Sequence, residues 1–161
     1  IKTGHKKIAY FSAEKWKNIS NEERKKGYLE ALEEHNIKGR FIIRGDYSEE
    51  SGYKMAEEVL KMREKIDAIL CCNDLVAMGA IHCFYEKRVK VPEDISIIGF
   101  GNYRVSKFVK ISLTTVNLPI KEMGEKLAEL VKKKLTEEDS SKIERIILPT
   151  ELIIRESVKR R

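Results

Sequence analysis

The chain has 161 residues, enough for one ordinary domain, and its 42% hydrophobic and 36% charged content is that of a globular protein. No apolar run approaches the roughly 18 residues that a membrane span needs, so no membrane partner is expected. The net charge of +6 is spread among acidic residues, with Lys132 to Lys134 on a helix flank and Lys159 to Arg161 as a solvated tail; no basic stripe is interleaved with aromatics, as a nucleic-acid surface requires.

The hydrophobic pattern alternates between strand and helix. Ile8 to Phe11 is a short apolar strand that follows Gly4-His5-Lys6-Lys7. Ser20 and Glu23 have the spacing of a capping box and open a helix to about His35. Phe41 to Ile43 is the next strand, and Gly45-Asp46-Tyr47-Ser48 turns into a second helix, whose Met55, Ala56, Val59 and Leu60 form one apolar stripe. Ile66 to Cys72 is a strand, Asn73 to about Lys87 a helix, and Ile95 to Phe100 a strand. After Asn102 the period is lost until residue 112. Leu113 to Leu118 is extended, and Pro119 fits the first turn of a helix to about Leu135. Thr136 to Lys142 is a polar break, and Ile143 to Ile154 reads as two short strands around Pro149.

Strands that are apolar on successive residues fit a parallel sheet covered on both faces. The repeated strand–helix alternation therefore predicts an α/β fold, an open and mostly parallel doubly wound sheet flanked by helices. The helix from Asn73 is apolar nearly all round and needs cover on two sides. The sheet supplies one cover. The other is assigned to a second copy, which makes the chain a homodimer through Leu75, Met78 and Ile81, joined by Met55 of the preceding helix. The helix after Pro119 carries Ile120, Met123, Leu127, Leu130 and Val131 at helical spacing, with no cover of its own.

Polar residues stand where the strands stop: Ser12, then Asp46-Tyr47, then Asn73-Asp74, then Gly101-Asn102. Arg24 lies in the opening turns of the first helix and can reach the same edge. Open parallel sheets bind ligands there. An arginine fork, carboxamides and an aromatic plate suit a sugar, whose hydroxyls need fixed partners and whose ring faces are apolar. Ser12, Arg24, Tyr47, Asn73 and Gly101 are therefore the candidate ligand-binding residues. Bland roles stand beside these: Asp74 as a helix cap, Arg24 as a surface residue paired with Glu22 or Glu23, Tyr47 as packing, Gly101-Asn102 as a turn.

Cys71, Cys72 and Cys83 read as small buried residues of a cytoplasmic protein, and neither they nor His5, His35 and His82 have metal-ligand spacing. There is no G-x-S-x-G elbow and no phosphate-binding glycine loop. No catalytic residue, metal or cofactor is expected, and the chain does not read as an enzyme.

Gly4-His5-Lys6-Lys7-Ile8-Ala9, Arg24 with Gly27, Asn73-Asp74, Val91-Pro92-Glu93-Asp94, Leu113-Thr114-Thr115-Val116 and Glu122-Met123-Gly124 follow one another in order. Together they closely resemble the effector-binding domain of the LacI/GalR family of bacterial transcriptional repressors, a periplasmic-binding-protein-like fold of two lobes around a cleft. The resemblance implies a homodimer that senses a small-molecule effector, a sugar in many members. It implies effector contacts at Arg24, Tyr47 and Asn73, and operator DNA bound only through an N-terminal helix-turn-helix absent from these residues. Against the family pattern, residues 1–112 are expected to be the core of the C-terminal lobe, 113–142 a crossover strand and helix that packs on the first lobe, and 143–161 return strands and a tail. Gly101 stands where many members have an acidic residue, and Leu118 where many have glutamine. Two readings of this difference stand side by side: a disaccharide effector, or a larger, less polar or non-sugar one. A sugar-binding protein of a transport system shares the two-lobed fold and is the alternative function.

Overall fold

The computed structural model describes residues 1–14, 18–108, 110–136 and 143–161. The elements run β1 (Ile8–Ala13), α1 (Ile19–Glu34), β2 (Phe41–Gly45), α2 (Glu49–Lys61), β3 (Ala68–Cys71), α3 (Asp74–Glu86), β4 (Ser96–Gly101), a short 3-10 helix (Arg104–Lys107), β5 (Thr114–Asn117), α4 (Ile120–Thr136) and β6 (Glu151–Ile153). One sheet has the order β2-β1-β3-β4-β5-β6. Its first five strands are parallel, and β6 runs antiparallel beside β5. From β1 the chain winds one way to β2, then crosses back to β3 and continues outward. The reversal puts a topological switch point between β1 and β3.

The strands are apolar because both faces are covered. Ala9, Tyr10, Phe11 and Ala13 of β1 are all buried. On one face α1 lays Tyr28 and Leu32 against the sheet, and the Tyr10 and Tyr28 rings stack with centroids 5.5 Å apart. Asn18 caps α1 by accepting from Ser20 N at 2.8 Å; the expected capping box at Ser20 and Glu23 gives way to a cap two residues earlier.

Apolar residues all round α3 are explained by α2. Val76, Ala77, Ala80, Cys83 and Phe84 are fully buried, and α2 packs tightly along this helix. Two glycines make the approach possible. A Cβ on Gly52 would strike the Val76 carbonyl, and one on Gly79 would strike the Glu49 carbonyl. The second cover expected from another copy is thus largely supplied within the chain. Met55 is 1% exposed, so it is a core residue and not an interface residue; Leu60, placed in the same stripe, is 41% exposed. Leu75 and Met78 stay half-buried, while Ile81 is buried.

Of the two strands expected around Pro149, only Glu151–Ile153 forms among the described residues. The polar break falls largely on 137–142, outside the described residues. The C-terminal tail is tied down rather than free. The Ser157 hydroxyl donates to Ile97 O at 2.7 Å and accepts from Thr114 N at 2.8 Å, and Arg161 N donates to Thr3 O at 2.8 Å. No residue of α4 is buried.

Candidate ligand site at the switch point

The parallel strands all end at one edge. Pairing sets Ser12 beside Arg44, Ala13 beside Gly45, Phe11 beside Cys71, and Gly101 beside Asn117. The strand-end residues singled out in the sequence therefore share this edge, but they differ in what they have free to offer.

Asn21 faces β1 from the first turns of α1 and is 1% exposed. Its side-chain oxygen accepts from the Tyr10 hydroxyl at 2.9 Å, and its amide donates to Ser12 Oγ at 3.1 Å. The Ser12 hydroxyl donates to Glu14 Oε1 at 3.3 Å and is fully buried. Ser12 thus braces α1 on β1, and its one donor is not available to a ligand. Asn21 carried no signal beyond being a polar residue at a sheet-facing helical position.

Arg24 lies one turn beyond Asn21 on the same face of α1. Its guanidinium carbon sits 4.5 Å from the centroid of the Phe100 ring, a cation–π contact with the end of β4. Its Nε is buried and lacks a hydrogen-bond partner, and so does the Tyr47 hydroxyl. Burial raises the pKa values of Tyr10, Tyr47 and Cys72, the last to about 11, and the Arg24 charge opposes the rise in all three. One guanidinium thus acts on β1, the β2–α2 turn, the end of β3 and the end of β4. It does not point away to pair with Glu22 or Glu23. Glu22 pairs with Lys25, whose ammonium also holds Glu14 at 3.3 Å.

Asn73 is the N-cap of α3. Its oxygen accepts from Val76 N at 2.8 Å, and its amide donates to Tyr47 O at 3.0 Å. It is structurally committed and keeps one amide hydrogen and one lone pair for anything else. Asp74, weighed as a cap, does not cap. It is fully buried, with Oδ1 accepting from Thr115 Oγ1 at 2.5 Å and Oδ2 from Tyr103 N at 2.7 Å. Arg155 closes the same region, donating to Asn102 Oδ1 at 2.6 Å and to Leu113 O at 2.8 Å. Between the ends of β4 and β5 and the start of α4 lies a depression of about 610 Å³ lined by Gly101, Asn102, Asn117, Leu118, Pro119, Glu122 and Glu125.

Buried polar groups are nearly always hydrogen-bonded, so two orphans that meet at the switch point of a parallel sheet mark the place where a polar ligand would complete the bonding. Fold and edge define an α/β domain with a candidate small-molecule site at the switch point.

Comparison with known proteins agrees. Residues 1–158 match the periplasmic binding protein-like domain. A curated relative, the HTH-type transcriptional repressor PurR of Mannheimia succiniciproducens, is 36% identical over 99% of this chain and 48% of its own length. Among solved structures, a LacI family transcriptional regulator from Enterococcus faecium with bound ribose superposes with a TM-score of 0.89 at 27% identity, covering 98% of this chain and 58% of that one. A transcriptional regulator CelR–cellobiose complex gives 0.89 at 29% identity, covering 97% and 48%. The chain belongs to the LacI/GalR family of transcriptional regulators, of which it is part of the periplasmic-binding-protein-like effector-binding region. It spans about half the length of the curated relatives it matches.

Proposed function

We propose that this chain is the effector-binding and dimerisation portion of a LacI-type repressor, which senses a small molecule, a sugar in the reading best supported, and so controls operator binding by a DNA-reading segment outside these residues. The carrying observation is the pair of buried, unpartnered polar atoms, Arg24 Nε and Tyr47 hydroxyl, at the switch point. Support for a sugar comes from the relatives described with ribose and cellobiose. Regulation then follows from differential affinity: an effector that binds one lobe arrangement better shifts the population toward it. The exposed face of α4, with Ile120, Met123, Leu127 and Val131 each at least 48% exposed, suits packing on a second lobe, in keeping with 113–142 as a crossover segment.

The test is calorimetry on the intact protein with the sugar that binds it. Arg24→Ala should weaken binding by about 1.5–3 kcal/mol, as expected for a charged donor, and should leave the fold and assembly unchanged. Equal affinity of mutant and wild type would remove Arg24 from the effector site.

A further inference from the structure

At the carboxyl end of β4 an aromatic ring occupies the space where a side chain would otherwise stand. Gly101 has φ +124°, and a Cβ built on it would lie 2.6 Å from Cε1 of Tyr103. The absence of a side chain at Gly101 therefore leaves no open room, because the Tyr103 ring fills it. The glycine is required both by its backbone angle and by the ring in front of it.

The backbone that carries this ring is fixed from several sides. Tyr103 N donates to Asp74 Oδ2 at 2.7 Å, and Tyr103 O accepts from Ser106 Oγ at 2.6 Å. The neighbouring Asn102 donates from its side chain to Asn117 Oδ1 at 2.9 Å. These bonds tie the segment to α3, the 3-10 helix and β5. The ring itself remains 42% exposed. Gly101 lines the depression with Asn117, and the aromatic ring that packs on Gly101 stays open rather than serving the core.

We propose that Tyr103 is a specificity-determining residue of the effector site, presenting an apolar plate at the end of β4 where a side chain at 101 would have offered a polar group. The inference rests on the effector reading of this edge. Asp74, the carboxylate that holds the Tyr103 backbone, has both oxygens engaged by Thr115 and Tyr103. Phe100 carries Arg24 on its ring, so Arg24 supplies the directed donor and Tyr103 the flat surface. That combination selects a sugar ring, or one unit of a disaccharide, that turns its C–H face to Tyr103 and its oxygens to Arg24.

The experiment uses the intact protein and a panel of pentoses, hexoses and β-linked disaccharides that includes ribose and cellobiose. Thermal shift picks the best binder, and calorimetry compares wild type, Tyr103→Phe, Tyr103→Leu, Tyr103→Ala and Arg24→Ala. Tyr103→Phe should bind within about threefold of wild type, and Tyr103→Leu and Tyr103→Ala should bind about tenfold more weakly or worse, with the unliganded melting temperature of Tyr103→Leu unchanged. If Tyr103→Ala fails to fold, Tyr103→Leu carries the comparison. Wild-type affinity in Tyr103→Leu together with loss in Arg24→Ala overturns the role of Tyr103 and leaves the effector reading standing. Equal loss in Tyr103→Phe and Tyr103→Leu assigns recognition to the hydroxyl and overturns the apolar plate. A wild-type protein that responds to no sugar of the panel overturns the sugar reading and the plate together.

Discussion

The Asn73 amide holds the Tyr47 carbonyl at 3.0 Å while the oxygen of the same side chain caps α3 at Val76 N. One carboxamide therefore starts a helix and fixes the turn that brings Tyr47 to the switch point. Removing it should disturb both. Asn73→Ala is expected to lower stability by about 1–2 kcal/mol, the usual effect of a lost N-cap, and Asn73→Ser should recover much of this because serine also caps. Urea denaturation of the three proteins measures it. A serine variant as unstable as the alanine one would mean that the Tyr47 contact, which serine is too short to make, carries most of the effect.

Gly79 and Gly27 are both helical glycines, and alanine should act on them with opposite sign. Alanine is favoured over glycine in a helix by about 1 kcal/mol. Nothing lies within 4 Å of a Cβ at Gly27, so Gly27→Ala should stabilise by about 0.5–1 kcal/mol. At Gly79 the new methyl meets the Glu49 backbone, which cannot swing aside as a side chain would. Gly79→Ala should therefore destabilise by about 1–3 kcal/mol, as α2 is pushed off α3. Thermal or chemical denaturation of the pair decides; stabilisation by both would mean that α2 and α3 lie farther apart than the structure has them.

The sheet was legible because each strand declares its own burial: Ile97, Ile69 and Phe11 need no distant partner to be recognised as core. The edge was legible for a related reason, since parallel strands end together and their last residues must share a side. What remained hidden was which polar groups were already committed. Asp74 is satisfied by Thr115, 41 residues on, and Asn102 by Arg155, 53 residues on. No local pattern encodes such pairings. The same holds for Met55, whose helical spacing marks an apolar face without saying whether a strand, a helix or another copy covers it. Tyr103 was invisible for the opposite reason, because its meaning lies in the backbone angle of Gly101.

His5 gives the fold a dependence on acid. It is 3% exposed, with Nε2 at 2.8 Å from Ser96 Oγ and Nδ1 at 2.9 Å from Thr3 Oγ1. Burial lowers its pKa below the ordinary 6.5, helped by Arg161, the N-terminus and Lys159 and opposed by Asp67. The unfolded chain therefore takes up the proton first. This contribution to stability is intact above the ordinary histidine range and is lost as pH falls through it toward the folded value. Melting temperatures recorded from pH 7.5 down to 5 should fall for wild type and fall less for His5→Gln. Parallel curves would show that another group sets the acid response.

The exposed face of α3 bears on assembly. Met78, His82 and Tyr85 line a groove of about 670 Å³ with Val89, Val91 and Ile111, and Tyr85 is 63% exposed. A homodimer through this face would cover the half-exposed Met78 and Leu75, for a gain below the roughly 1.5–3 kcal/mol that burying a fully exposed side chain contributes. An aspartate at 78 would bring an unpaired carboxylate into that contact, which is strongly unfavourable. Met78→Asp is therefore expected to give a folded monomer where wild type is a dimer, read by light scattering over a concentration series. Met55→Ala serves as the contrast. Met55 stands on the buried face of α2 against Gly45, so its truncation should cost about 2–5 kcal/mol of fold stability and leave association unchanged in whatever remains folded. If Met78→Asp associates as wild type does, the α3 face is free of the interface and the subunits meet elsewhere.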